Sequence, residues 1–257
     1  MIAESKIKAL LGQALDPHCR YDFEFTYSVE DGNPNGDPDN GAHPRQTPDG
    51  RLEVTDAKLK RMIRDYLEEV YKRNIYISRR VKEEGLANDT GDGPVGLKSQ
   101  SVQFPKPEDA IAHFMDIMLF GATYLPPKDG DPKGKSGQGH QILGPVQIGM
   151  GRSREPVEVR QTQISRILSE DSNQGTFGDK FHVEKAEIVF EGRYSGNIGR
   201  KMGVSSQNLL EFWTAMINGV ELRRSTMSGK CTPVSLTVTC FSDPYGLTEP
   251  TKVEVTF

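Results

Sequence analysis

The chain has 257 residues, of which 35% are hydrophobic and 26% charged, and its formal net charge is −4. It is long enough to bury a core as one large or two small domains, and its apolar runs are too short to cross a membrane. A net negative charge argues against a protein that coats a polyanion through its overall charge, but it is compatible with a local basic groove. Three cysteines without CxxC spacing and a polar N-terminus predict a cytoplasmic protein with reduced thiols and neither a metal nor a cofactor.

The first clear element is a strand over 21–29, where aromatic and aliphatic residues alternate with polar ones. The segment 31–51 follows and is dominated by Gly, Pro, Asn and Asp, which predicts a long loop. Its start at Asp31 resembles a calcium-binding loop, but Ala42 stands where that loop needs a bidentate acid. Two interpretations are left: a rigid turn-rich loop, or a loop that lines a ligand groove and orients Arg45 there.

A helix is predicted over about 55–74, with Thr55 as its N-cap and an apolar stripe from Leu59 to Val70. Four cations are expected to project from the opposite side: Lys58, Lys60, Arg61 and Arg64. They occupy the first half of the helix, where the helix dipole disfavours positive charge. Either they form a solvated face, or they bind phosphate at the helix N-terminus.

Residues 75–141 are interpreted as an insertion that contains a helix over 108–119, ended by Gly121, and a Gly- and Lys-rich stretch over 125–141. A strand is predicted over 146–150.

The segment GPVQIGMGRSREP (144–156) contains this strand and continues beyond its end. Gly149 and Gly151 are predicted to let another backbone approach closely. Arg152 and Arg154 come directly after them, and the pattern is a weak sign of a binding groove.

Residues 157–185 are polar with weak alternation and predict a two-stranded arm with its tip near 170–180. Around Phe177 the arm carries Arg160, Arg166 and Lys180. Phe177 either wedges between bases or stacks on them, or it packs against the arm itself.

The rest of the chain supplies the remaining strands and the last helix. It contains a strand over 186–190, a helix from Ser205 to Gly219, a strand over 234–240 and an edge strand over 253–257. Arg223 and Arg224 close that helix, where cations suit the dipole. The order strand, helix, strand, strand, helix, strand is the split βαβ pattern of ferredoxin-like and RNA-recognition folds. We therefore expect an α+β fold with an antiparallel sheet and two helices on one face.

Catalytic motifs are absent from the sequence: the five histidines are scattered, and no nucleophile–base or phosphate-loop pattern occurs. Asp31, Asp37 and Asp39 are possible acid–base groups but lack a fixed partner. The core strands also lack the aromatic pair with which RNA-recognition sheets stack bases. We therefore predict a protein that is not an enzyme.

Five motifs occur in the order seen in one family: EDGNPNGDPDNGAHPR, TDAKLKRMIR, DIMLFGA, GPVQIGMGRSREP and TFGDKFHV. From about Tyr21 to Phe241 the sequence resembles the CRISPR-associated Cas7 backbone subunits of type I Cascade complexes, close to the type I-C and I-B branch. The resemblance implies a modified RNA-recognition palm with fingers-like insertions and a thumb hairpin. It implies a multi-copy subunit that polymerises head to tail along one CRISPR RNA and presents it for target pairing. The implied partners are CRISPR RNA, the target DNA strand paired to it, further copies of the chain and other Cascade subunits.

The resemblance also divides the chain and assigns its RNA contacts. The divisions are an N-terminal extension (1–20), a first palm part (21–74), a fingers-like insertion (75–141), a palm strand (142–156), a thumb (157–185) and a second palm part (186–257). The implied groove joins the helix cations, the loop and the strand end, with Phe177 as the wedge. The predicted RNA-binding residues are Asn33, Asn35, Arg45, Lys58, Lys60, Arg61, Arg64, Gln147, Arg152, Ser153, Arg154, Arg166, Phe177, Lys180, Arg223 and Arg224.

Two other functions stay open at this point. The first is an RNA endonuclease of the same superfamily, similar to type III subunits that cleave target RNA with an aspartate after the first strand, here Asp31, Asp37 or Asp39. The second is a protein-interaction module that binds no nucleic acid. Salt dependence separates the second from an RNA binder, because phosphate contacts weaken steeply with salt.

Overall fold

The computed structural model describes residues 1–78, 104, 106–124, 139–166, 176–222 and 227–257. Within them the fold is mixed α+β around one large antiparallel sheet, which confirms the predicted class. The described helices are α1 (Glu4–Leu10), α2 (Asp56–Glu69), α3 (Pro107–His113), α4 (Met115–Phe120), α5 (Gly196–Met202) and α6 (Ser206–Leu222). Among the helices in these ranges, none is long and apolar enough to cross a membrane.

The strands follow the predicted order with short additions. They are β1 (Arg20–Gly32), β2 (Gly36–Asp37), β3 (His43–Pro44), β4 (Arg51–Val54), β5 (Gly121–Tyr124), β6 (His140–Leu143), β7 (Val146–Ile148), β8 (Gly151–Pro156), β9 (Val159–Arg166), β10 (Thr176–Tyr194), β11 (Lys230–Phe241) and β12 (Thr251–Thr256). The main sheet runs β12-β11-β1-β10-β8-β4, with β7 and β9 also paired to β10. Strand β12 confirms the predicted C-terminal edge strand, which pairs with β11.

Strand β1 is the centre of the sheet, and its alternation decides which face is the core. Phe25 lies opposite Phe190 on β10 and Leu236 on β11, and all three side chains are fully buried. Because successive side chains of a strand point to opposite faces, Glu24 and Thr26 project from the other face of the sheet. The predicted half-buried strand is thus confirmed, and it begins one residue earlier, at Arg20.

Helices α2 and α6 cover the aromatic face of the sheet. Trp213 on α6 packs edge-on against Phe23, with ring centroids 5.3 Å apart. The predicted stop of this helix at Gly219 is wrong, because α6 continues to Leu222. A Cβ atom at Gly219 would lie 2.8 Å from the carbonyl oxygen of Met62 on α2, so this glycine lets the two helices approach closely rather than ending one.

The N-terminal segment is part of the core. Ile7 and Leu11 are buried, and the indole N–H of Trp213 donates to the carbonyl of Ala14 at 3.0 Å. The side chain of Asn218 on α6 accepts from the backbone N–H of Ile2 and donates to its carbonyl. Residues 1–20, predicted as an extension, therefore close one side of the helical layer.

Two predicted helix boundaries change. Helix α2 ends at Glu69 instead of 74, and the chain leaves it through Lys72, whose φ of 56° is left-handed. The helix predicted over 108–119 is two short helices, α3 and α4, because Phe114 between them is extended. Phe114 is buried and packs against the ring of Tyr76, so burial of this aromatic side chain accompanies the break. Gly121, with a φ of 74°, ends α4 as predicted.

Candidate nucleic-acid interface

The loop after β1 is built by its two asparagines. The amide nitrogen of Asn33, which is buried, donates to the carbonyl of Ala42 at 2.6 Å, and its amide oxygen accepts from the backbone N–H of Asn35. The side-chain oxygen of Asn35 accepts from the hydroxyl of Thr55 at 3.2 Å. Thr55 is the N-cap of α2, as predicted, and accepts from the N–H of Lys58. These side chains fold the loop and fix it to the start of α2, and their contact with RNA stays a prediction.

Arg45 lies on the surface of this loop beside an acid. Its guanidinium is 3.1 Å from the carboxylate of Asp37, which also accepts from the backbone N–H of Asp39. The ring of His43 contacts that of Phe181 with centroids 4.9 Å apart, which seats the loop against β10. Within the described residues, no three His, Cys, Asp or Glu side chains group as metal ligands.

Arg64 does not project from an outer face, as the helical pattern predicted. Its side chain is 9% exposed and pairs at 2.9 Å with Asp116, which is 1% exposed. Asp116 also accepts from the backbone N–H groups of Tyr76 at 2.8 Å and Ile77 at 3.1 Å. This ion pair joins α2 to α4 and to the segment before residue 79. The charge of Arg64 is therefore used inside the protein.

Two other cations of α2 also lie beside acids, and the third, Lys58, lies near Cys231. Lys60 is 2.9 Å from Asp56, and Arg61 is 2.9 Å from the buried Asp65. Burial raises the pKa of Cys231 to about 11, and the charge of Lys58 opposes that rise, which places Lys58 near the start of β11. Both ion pairs have i,i+4 spacing, which is visible in the sequence and indicates side chains that are neighbours on a helix.

Strand β8 presents two arginines on the face of the sheet away from the helices. Arg152 is 3.4 Å from Glu53 on β4. Arg154 is 3.2 Å from Glu187 and 3.4 Å from Glu24. Because α2 covers the opposite face, the structure does not bring the helix cations and these arginines into the single groove that the family resemblance implied.

Ser153 lies between the two arginines and points the other way. It is 2% exposed, its hydroxyl accepts from the N–H of Leu52 at 2.9 Å, and it donates to the carbonyl of Glu155 at 2.6 Å. Ser153 therefore holds β4 to β8, and its contact with RNA stays a prediction.

Gly151, the first residue of β8, has a different role from the one predicted. A Cβ atom at Gly151 would lie 2.4 Å from the ring of Phe190, so Gly151 admits a core aromatic ring rather than another backbone. Gly149 has room for a Cβ atom, whose nearest neighbour would be the carbonyl oxygen of Glu191 at 3.4 Å. Gln147 is exposed and donates to the carbonyl of Gly144 at 3.0 Å.

The predicted arm is confirmed as an antiparallel pair of β9 with the first half of β10. Arg160 on β9 is 2.6 Å from Glu184. The backbone of Phe177 pairs with Ser165 and that of Arg166 with Thr176, so Phe177 and Arg166 lie in the paired strands. Residues 167–175, which include part of the predicted tip, lie outside the described residues, as do Arg223 and Arg224.

We call four arginines the arginine row: Arg45, Arg152 and Arg154 on the helix-free side of the sheet, and Arg160 on the arm. Glu53 joins the first two, since its N–H donates to the carbonyl of Arg45 and its carboxylate meets Arg152. A groove of about 550 Å³ joins the last two and is lined by 153–158, Arg160 and 184–187. Sequence reasoning missed the acids along this row, although the alternation of β1 already placed Glu24 on this face.

Comparison with known proteins agrees with this architecture. A family model described as CRISPR-associated protein Cas7 matches residues 19–255. A chain of a solved "CRISPR RNA-guided surveillance complex, pre-nicking" is 11% identical with a TM-score of 0.51, covering 86% of this chain and 78% of that one. A chain of another "CRISPR RNA-guided surveillance complex" is 13% identical with a TM-score of 0.49, covering 86% and 68%. No curated protein matches.

Proposed function

This chain belongs to the CRISPR-associated Cas7 family, and we propose that it is a multi-copy RNA-binding backbone subunit of a type I Cascade surveillance complex. The observation that carries the proposal is the family match over 19–255. Copies of the chain would line one CRISPR RNA head to tail in the cytoplasm and present it to the target DNA strand, beside other Cascade subunits. Base pairing would read the target sequence, and the protein would hold the RNA backbone.

The fold supports this proposal at the level of strand order. Strands β11, β1, β10 and β8 lie side by side in that order, which is the neighbour order of a split βαβ sheet when β7 and β8 count as the second strand. We propose that these strands with α2 and α6 are the palm, and that the β9–β10 hairpin is the thumb. Placement in the type I-C and I-B branch stays a prediction from the motif order.

The arginine row supports RNA binding on the helix-free side of the sheet. Guanidinium groups pair bidentately with phosphate, and backbone contacts carry no sequence information. The row extends from the loop after β1 through β8 to the arm, so its four cations are distributed over several elements and not gathered in one cluster. We expect it to hold several successive phosphates of one strand.

The test of the function is the RNA content of the purified protein. We expect the chain, co-expressed with a CRISPR array and its partner subunits, to retain a discrete, repeat-derived RNA in large nuclease-resistant particles. Purified monomers without RNA under these conditions would contradict the proposal and favour a protein-interaction module.

The arginine row is tested by charge removal with a matched control. Arg152→Ala with Arg154→Ala should weaken RNA binding whatever the sequence and reduce the salt slope of log K by about 1 for each cation. Arg200→Ala with Lys201→Ala removes the same charge from exposed positions on α5 and should leave both quantities nearly unchanged. Equal effects of the two variants would remove the row from the interface.

We propose further that the chain does not cleave RNA. Asp37 is engaged with Arg45 and with the N–H of Asp39, a geometry that supports a role in shaping the loop. If the endonuclease alternative holds, replacing Asp31, Asp37 and Asp39 with Ala abolishes a cleavage activity of the wild type and leaves binding largely intact.

A further inference from the structure

Each arginine of the row has a carboxylate beside it, and together these acids form a second row. The shortest N–O distances are 3.1 Å for Arg45–Asp37, 3.4 Å for Arg152–Glu53, 3.2 Å for Arg154–Glu187 and 2.6 Å for Arg160–Glu184. Glu24 adds a second acid, 3.4 Å from Arg154. Four positive charges therefore face five negative ones, so the arginines and these acids together carry no net positive charge in the free chain.

These ion pairs are weak enough to open. The arginine side chains are between 38% and 61% exposed, and exposed pairs hold together only marginally against water and salt. The pair of Arg64 with Asp116 is the opposite case, because it is buried and bound to backbone N–H groups. The exposed arginines of the row can therefore exchange a carboxylate for another anion, whereas the buried Arg64 cannot.

We propose that Asp37, Glu53, Glu24, Glu187 and Glu184 are a carboxylate screen that an RNA backbone must displace from the arginine row. The inference rests on the proposed function and concerns the regulation of that same site. In the free chain the screen removes the long-range attraction that a bare basic groove exerts on any polyanion. A phosphate gains the guanidinium contacts only by replacing a carboxylate locally, with no covalent change.

The consequence is selectivity against arbitrary RNA. One chain on a random RNA must displace the screen with only its own contacts to offset the cost. Several copies on one strand share a single binding event, since linked contacts raise the effective concentration of the next. The screen should therefore weaken binding by isolated chains more than binding within an assembly.

The test neutralises the screen without changing its shape. The variant Asp37→Asn, Glu53→Gln, Glu187→Gln keeps the side-chain shape and one side-chain oxygen at each position, and removes three charges. The control, Glu108→Gln, Glu221→Gln, Glu249→Gln, removes three acids away from the arginine row, two of them exposed and one ion-paired. Fluorescence anisotropy with a labelled, unstructured single-stranded RNA unrelated to any repeat gives the affinity of each purified chain. Thermal unfolding of the screen variant, matched to wild type, establishes that its fold is intact.

We expect the screen variant to bind this RNA about tenfold more tightly than wild type, and the control to change little. An unchanged affinity in the screen variant overturns the inference, and so does an equal rise in both variants, since net charge alone then explains it. If wild type and both variants fail to bind RNA even at low salt, the proposed function falls together with the screen. Binding by wild type with no gain in the variant contradicts the screen alone.

Discussion

Replacing Arg64 with alanine should unfold the protein more readily, whereas Lys60→Ala on the same helix should be tolerated. The substitution leaves Asp116 as a charge that is 1% exposed and has lost its guanidinium partner. Breaking a buried pair in this way costs about 3–5 kcal/mol, which lowers the melting temperature by roughly 10 °C in a domain of this size. The measurement is urea unfolding at equilibrium, with thermal unfolding as a second readout.

The matched control is Lys60→Ala on the same helix. Its partner Asp56 is 43% exposed, so losing the pair should cost at most about 1 kcal/mol. A second variant isolates the charge itself: Arg64→Ala with Asp116→Asn keeps one side-chain oxygen as an acceptor for the N–H of Tyr76 and removes the orphaned charge. That double variant should be more stable than Arg64→Ala alone. Equal stabilities of Arg64→Ala and Lys60→Ala would refute the assignment of Arg64 to the interior.

Three further predictions concern packing and a surface loop. Gly219→Ala should lower the free energy of unfolding by about 1–2 kcal/mol in urea unfolding, because its Cβ meets the carbonyl of Met62, whereas Gly12→Ala has open space and should not. Tyr27→Phe should raise the free energy of unfolding by about 1 kcal/mol, since among the described residues its buried hydroxyl has no hydrogen-bond partner. A clear loss of stability would mean that this hydroxyl does have a partner. Desolvation alone would raise the pKa of Asp243, but hydrogen bonds from N–H groups of the loop that follows lower this pKa to about 2. The order that the carboxylate gives to this loop should therefore be present above about pH 4 and lost towards pH 2, and amide hydrogen exchange measures that loss.

Local patterns predicted the elements whose causes are local. The alternation of β1, the cap of α2 and the edge strand β12 follow from period and capping chemistry, and each is confirmed. The arm between 157 and 185 is confirmed for the same reason. Boundaries were less predictable, because Phe114 breaks a helical pattern by burying its ring in a cluster that only the tertiary fold creates.

The candidate site was harder to predict than the fold. A helical wheel shows which residues share a face, but not which distant segment covers it. Asp116 comes from 52 residues further along the chain to meet Arg64, and no spacing within α2 signals that contact. The bond from Leu52 to Ser153 was hidden for a similar reason, since the register of β4 against β8 decides that this hydroxyl turns inward.

The excess of cations early in α2 was the strongest hint of phosphate binding on that helix, and the structure gives it another cause. A positive charge near a helix N-terminus costs about 0.3–1 kcal/mol. A carboxylate at about 3–4 Å offers roughly 4 kcal/mol of attraction at a partly exposed site, before desolvation. Arg61 and Arg64 each have such a carboxylate 2.9 Å away, and it is buried, so the dipole penalty is outweighed inside the protein. The exposed pairs of β8 meet the same local attraction in water, where it is weakest, and this makes Arg152 and Arg154 the cations best able to exchange a carboxylate for a phosphate.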